Sequence, residues 1–80
     1  MRLKPTQKEL TLDLLEKARD GRAGKDGWVS NFDLQKISLR YGARIFELRQ
    51  DGVKIEDRPD RKIRSCHWYR IEQKQMELNL

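Results

Sequence analysis

Residues 31–55 read NFDLQKISLRYGARIFELRQDGVKI, in which two short segments of periodic apolar residues flank Gly42. The first segment predicts a helix over about residues 31–38. Ser30 is followed three residues later by Asp33, a spacing typical of a helix N-cap. We expect the chain to turn at Gly42, because glycine takes a positive φ at no steric cost.

The second segment predicts a helix over about residues 43–51. Ile45 and Leu48 are three residues apart, so both would face inward, and Gly52 would end the helix. The unit formed by the two helices and their turn spans 21 residues, which is the layout of a helix-turn-helix.

The residues before this unit predict a leading helix over about residues 6–20. Thr6 and Glu9 have the spacing of a capping box, and apolar residues then recur every four positions. Gly21 would end this helix in a left-handed conformation. A glycine-rich loop over residues 21–27 follows, and Trp28-Val29 predicts a brief strand.

The residues after the unit predict a β-hairpin. Val53 and Ile55 alternate with polar residues, and alternation returns over about residues 63–71. Pro59-Asp60 provides a favourable turn pair between these two strands. Residues 72–80 are expected to form a tail or a short helix, outside a domain that spans residues 1–71.

Several side chains have two interpretations at this stage. A thin core needs its aromatic residues, so Phe32 and Trp68 are expected to be buried, with stacking on single-stranded nucleic acid as the alternative. Arg49 is expected to act structurally, bridging to an acid such as Asp51 or Glu56.

The composition argues against several classes of function. The chain has 80 residues, with 18 Lys or Arg and 13 Asp or Glu, for a net charge of +5. Cys66 and His67 are adjacent on a predicted strand, so they would face opposite sides and cannot form a catalytic pair. We therefore expect no enzyme activity, metal site, cofactor, small-molecule substrate or membrane association, and a cytoplasmic protein.

The stretch Ala43-Arg44-Ile45-Phe46-Glu47-Leu48-Arg49-Gln50-Asp51-Gly52-Val53-Lys54-Ile55, with the closing strand Trp68-Tyr69-Arg70-Ile71, carries a resemblance. It resembles the Arg-Ile-x-x-Leu-Arg-x-x-Gly signature of the short helix-turn-helix modules of bacterial and phage genomes. The match covers about residues 6–71. Phe46 and Glu47 depart from that pattern, because a small or polar residue is more usual at the first and an acid would face DNA at the second.

The resemblance implies an α+β winged helix-turn-helix, with three helices and a C-terminal hairpin as the wing. It also implies a small transcriptional regulator that binds double-stranded DNA, with the helix of residues 43–51 in the major groove and the wing on the backbone. The residues expected to contact DNA from the helix and its start are Arg40, Tyr41, Arg44, Glu47 and Gln50. Those expected to contact DNA from the wing are Arg58, Arg61, Lys62 and Arg64.

Other functions remain open on the same sequence. The wing cations have the alternative of a solvated turn, and Glu47 has that of an ion-pair partner for Arg44 or Lys54. Phe46 and Glu47 favour a protein–protein adaptor on a winged scaffold, and an excision-type factor that bends DNA is a third possibility. Met76, Leu78 and Leu80 would either support a homodimer or cover the leading helix.

Overall fold

A computed structural model describes residues 4–72, which form three helices and one small antiparallel sheet. This confirms the predicted α+β class. The elements are α1 (Gln7–Arg19), β1 (Val29–Ser30), α2 (Asn31–Ile37), α3 (Tyr41–Gln50), β2 (Ile55–Pro59) and β3 (His67–Ile71). The expected roles of Met76, Leu78 and Leu80 lie outside the described residues.

Helix α1 begins and ends as its sequence predicts. The Thr6 hydroxyl accepts from the backbone N–H of Glu9, and the Glu9 carboxylate accepts in return from the N–H of Thr6 at 2.8 Å. At the other end Gly21 has a φ of +82°. Its N–H donates to Ala18, and that of Arg22 donates to Lys17. The last carbonyls are thus satisfied by a glycine-dependent cap.

Helix α3 begins earlier than predicted, at Tyr41 instead of residue 43. Gly42 lies inside the first turn and does not adopt a positive φ, so the expected break at this residue is wrong. The first-turn N–H groups of a helix have no intrahelical acceptor, and a glycine there costs the helix little. The turn is made by residues 38–40, where the Ser38 hydroxyl accepts from the N–H of Arg40.

The three strands pair in the order β1-β3-β2, all antiparallel. The predicted brief strand is found one residue later, as β1. The final strand begins at His67, not at about residue 63. The carboxylate of Asp60 accepts the N–H groups of Lys62 and Ile63, which holds this segment in a loop and away from the ladder.

The core lies between the helices and one face of the sheet. Its buried members are Leu15, Ala18, Val29, Leu34, Ile45, Leu48, Ile55 and Ile71. Phe32 does not join them, because 45% of its surface is exposed, so the expectation of a buried Phe32 is wrong. Leu34, two positions later on α2, faces the core in its place.

Candidate nucleic-acid interface

The loop between β2 and β3 is held in shape by Asp60. Its Oδ2 accepts the N–H groups of Lys62 at 2.9 Å and Ile63 at 2.8 Å, and its Oδ1 accepts the indole N–H of Trp68 at 2.9 Å. These three donors lower the pKa of Asp60 to about 2 from an ordinary 3.8, because each stabilises the ionised form. The loop is therefore fixed by its own residues.

Four basic residues of this hairpin, here called the wing cations, all have exposed side chains. They are Arg58, Arg61, Lys62 and Arg64. Within residues 4–72 none of them forms an ion pair, whereas all four basic residues of α1 and α2 do. Cations that are exposed and unpaired are available to neutralise an external anion.

Helix α3 presents a mixed surface to solvent. Arg40, just before the helix, and Gln50, at its end, both have exposed side chains. Between them Phe46 is 60% exposed, and Leu39 before the helix is 84% exposed. The outer side of α3 is thus uncovered by the described chain and carries apolar as well as polar groups.

Arg44 and Glu47 are brought together by the structure. The Arg44 Nη2 donates to Glu47 Oε2 at 3.1 Å, and its Nη1 donates to Gln7 Oε1 of α1 at 3.3 Å. Only 24% of the Arg44 side chain is exposed. Its buried Nε has no hydrogen-bond partner within the described residues. Glu47 therefore occupies the ion-pair role that the sequence left open.

Tyr41 turns inward, away from the exposed side of α3. Its ring packs against the core and meets the ring of Tyr69 edge-on, with 5.9 Å between centroids. Burial raises the pKa of Tyr69 to about 12. This contact fixes the start of α3 against β3, on the inner face of the hairpin.

Arg49 fixes the other end of α3 to the hairpin. Its Nη2 donates to the Ile55 carbonyl at 2.7 Å and to Asp57 Oδ1 at 3.3 Å. The second oxygen of Asp57 lies 2.7 Å from His67 Nε2. The hydrogen bonds that Asp57 makes with His67 and Arg49 lower its pKa, and the bond with His67 has the larger effect. Arg49 is structural, as predicted, but its acidic partner is Asp57 and not Asp51 or Glu56.

The sequence reasoning missed a stack of three side chains on the outer face of the sheet. The guanidinium carbon of Arg58 lies 4.3 Å from the ring centroid of Trp28, and that of Arg70 lies 4.4 Å from it. Trp28 is buried, yet it belongs to this stack and not to the apolar core. No local pattern could reveal it, because the three residues come from separate segments.

Cys66, the one cysteine of the sequence, is buried. Burial raises the pKa of the Cys66 thiol, which favours the unreactive neutral form. Residues 4–72 hold no cluster of three His, Cys, Asp or Glu side chains able to hold a metal ion. Within the same range, every helix is too short or too polar to cross a membrane.

Comparison with known proteins identifies no relative of this chain. A scan against protein-family models, a search of curated proteins and a search of solved structures each gave no match to this chain.

Proposed function

We propose that this chain is a winged helix-turn-helix protein that binds double-stranded DNA, as a small transcriptional regulator of bacterial or phage type. In this proposal α2 and α3 are the helix-turn-helix, α3 enters the major groove, and the hairpin of β2 and β3 is the wing. The order of the elements and the three-stranded sheet are compatible with that fold.

The observation that carries the proposal is the set of wing cations. A DNA duplex is a dense line of negative charge, and cationic side chains that displace its counterions supply most of the sequence-independent affinity. The wing cations are exposed and unpaired within residues 4–72, and Asp60 holds two of them, Arg61 and Lys62, on an ordered loop. An ordered cationic loop loses little entropy when it meets phosphates.

The role of α3 follows from what it exposes. Arg40 and Gln50 can donate to base edges or phosphates, and a phenylalanine such as Phe46 suits the methyl group of thymine. Arg44 must break its ion pair with Glu47 to reach a base. Only a sequence that offers Arg44 a favourable base contact offsets that cost, so Glu47 increases the discrimination between sequences. Tyr41 packs inward, and in this proposal it supports the start of the helix and does not contact DNA.

Binding to random duplex DNA across a salt series tests the proposal. Contacts from several wing cations predict that the logarithm of affinity falls linearly with the logarithm of salt, by about 0.9 for each phosphate neutralised. A slope near zero, or no binding at low salt, would overturn it. The measurement needs no knowledge of the target sequence.

A protein–protein adaptor is the second candidate, and Leu39 and Phe46 favour it. Both are large apolar side chains exposed to water, and a contact with another protein would remove that apolar surface from water. The two candidates differ in their salt dependence, because an apolar contact gains no counterion release. Phe46→Ser would abolish binding to a protein partner, while leaving the salt slope on DNA unchanged.

A further inference from the structure

The outer face of the sheet lies on the side opposite the helical core. In β3, Tyr69 and Ile71 contact the core, so the alternation of a strand turns Trp68 and Arg70 outward. The register places Arg58 of β2 directly across from Trp68. A half-buried indole and two guanidinium groups therefore share this face.

The stack with Trp28 orients Arg58. A guanidinium that lies flat on an indole keeps its N–H donors at its edge, where an anion can bind them. Arg70, whose guanidinium carbon lies 4.4 Å from the centroid of the same ring, donates to Glu56 at 3.3 Å. Arg58 has no such acidic partner within residues 4–72, so its edge is available.

An open cleft of about 570 Å³ lies beside this stack. We call it the outer cleft, and it is lined by Arg58, Pro59, Asp60, Arg61, Lys62 and Trp68. A smaller hollow of about 140 Å³ shares Arg58, Asp60 and Trp68 with it and adds Lys25, Asp26 and Trp28. The outer cleft falls in the size range of sites that hold small organic ligands, about 300–1,000 Å³.

The charges of the outer cleft select an anion. Three cations line it against one carboxylate, that of Asp60, whose two oxygens already accept three hydrogen bonds from the loop and from Trp68. The same wall carries the partly exposed indole of Trp68, which offers a flat apolar surface. A ligand that matches both features is anionic at one end and flat and aromatic at the other.

We infer that the outer cleft binds one unpaired nucleotide of a single-stranded nucleic acid. The base stacks on the indole of Trp68, and the adjoining phosphodiester binds Arg58, Arg61 and Lys62. Stacking on an aromatic side chain tolerates any base, whereas a duplex keeps its bases paired and unavailable. The inference goes beyond duplex binding, although Arg58, Arg61 and Lys62 serve in both.

The first test compares two labelled strands of equal charge by fluorescence anisotropy at one salt concentration. One is a strand of ten thymidines, and the other is ten abasic deoxyribose phosphates. Stacking predicts that the thymidine strand binds about tenfold more tightly. Equal affinities would overturn the inference, because they would leave only charge. Thymidine monophosphate is the competitor that tests whether a strand is needed. If it competes as well as the thymidine strand at the same nucleotide concentration, the ligand is a free nucleotide and not a strand.

The second test removes the indole. Trp68→Leu should bind the thymidine strand about tenfold more weakly than Trp68→Phe does, and the two variants, which both lose the bond to Asp60, should bind the abasic strand equally. Phe32→Leu, which removes an exposed aromatic ring from α2, is the matched control and should change neither affinity. Trp68→Phe keeps an aromatic face and should retain the preference for thymidine. A Trp68→Leu protein that folds and keeps the full preference would contradict the inference.

A covalently closed duplex circle, which has no unpaired ends, separates this inference from the proposed function. Trp68→Leu and Trp68→Phe both lose the bond to Asp60, so the two variants should bind the circle equally tightly. Binding to the circle without a preference for thymidine over abasic strands would refute the outer cleft alone. Preference for the thymidine strand without binding to the circle would refute the duplex proposal alone.

Discussion

The carboxylate of Asp60 accepts the indole N–H of Trp68 at 2.9 Å, which joins the first residue after β2 to the second residue of β3. The same side chain accepts two backbone N–H groups from the loop. The consequence is that Arg61 and Lys62 stand on a loop whose shape is set before any ligand arrives, and Trp68 is held beside them.

Asp60→Asn should destabilise the chain at neutral pH and have less effect in acid. Three N–H groups donate to the Asp60 carboxylate. The NH₂ group of an asparagine cannot accept a hydrogen bond, so at least one of these bonds is lost. Because the folded-state pKa of Asp60 is about 2 against an ordinary 3.8, its stabilisation is complete above pH 3.8 and is lost as the pH falls toward 2. Thermal unfolding at pH 7, 5, 3 and 2 should show the two proteins converging. A constant difference in Tm would contradict this.

Replacing Arg61 and Lys62 by alanine should flatten the salt dependence of duplex binding. The loss of two phosphate contacts predicts a slope smaller by about 1.8. The matched control is Lys17→Ala with Lys36→Ala, which removes the same charge from residues already ion-paired on α1 and α2. The control should keep the original slope. Equal flattening in both double variants would mean that net charge alone governs binding.

Arg49→Met should lower the free energy of unfolding by about 1 kcal/mol, because it removes the bonds to the Ile55 carbonyl and to Asp57. Arg19→Met removes only an exposed ion pair of 3.8 Å with Asp20 and should cost less than about 0.5 kcal/mol. Urea denaturation measures both. An Arg49→Met protein as stable as Arg19→Met would show that these bonds do not hold α3 to the hairpin.

Gly24→Ala should cost more than Gly21→Ala, although both glycines have positive φ. A Cβ at Gly24 would lie 2.3 Å from the Trp28 carbonyl oxygen, which already accepts from Lys25, whereas nothing lies within 4 Å of a Cβ at Gly21. We expect about 1 kcal/mol for the conformation alone at Gly21, and about 1–3 kcal/mol more at Gly24 for the clash. If urea denaturation shows the same loss in free energy of unfolding for both variants, the clash at Gly24 has no measurable cost.

The features of the fold that could be predicted were those set by neighbours in the chain. Thr6 and Ser30 cap their helices through bonds to residues three positions later, so the pattern is visible in the sequence. The errors arose where a local signal was overridden. Gly42 continues a helix, and Asp60 keeps residues 63–66 out of the strand by bonds that the apolar alternation could not reveal.

The candidate site was predictable only in part, for the same reason. Clustering of Arg58 and its neighbours in the sequence places them on one hairpin whatever the packing. The bond from Arg44 to Gln7 depends on α1 packing beside α3, 37 residues away in the chain. The stack of Arg58 and Arg70 on Trp28 likewise depends on the register of three strands.

The last prediction separates a base contact from a phosphate contact on α3. Arg44→Ala should reduce preference among duplex sequences if Arg44 leaves Glu47 to bind a guanine, and its unsatisfied Nε favours such an exchange. Glu47→Gln should then raise affinity for every duplex, because it releases the guanidinium without removing it. Gln50→Ala is the control, because Gln50 is exposed at the end of the helix and does not have to break an ion pair before it contacts DNA. Competition binding on a randomised duplex library measures all three. Equal loss on every sequence from Arg44→Ala would assign that side chain to the phosphate backbone. No loss at all would leave it as the ion-pair partner of Glu47 that also hydrogen-bonds Gln7 of α1.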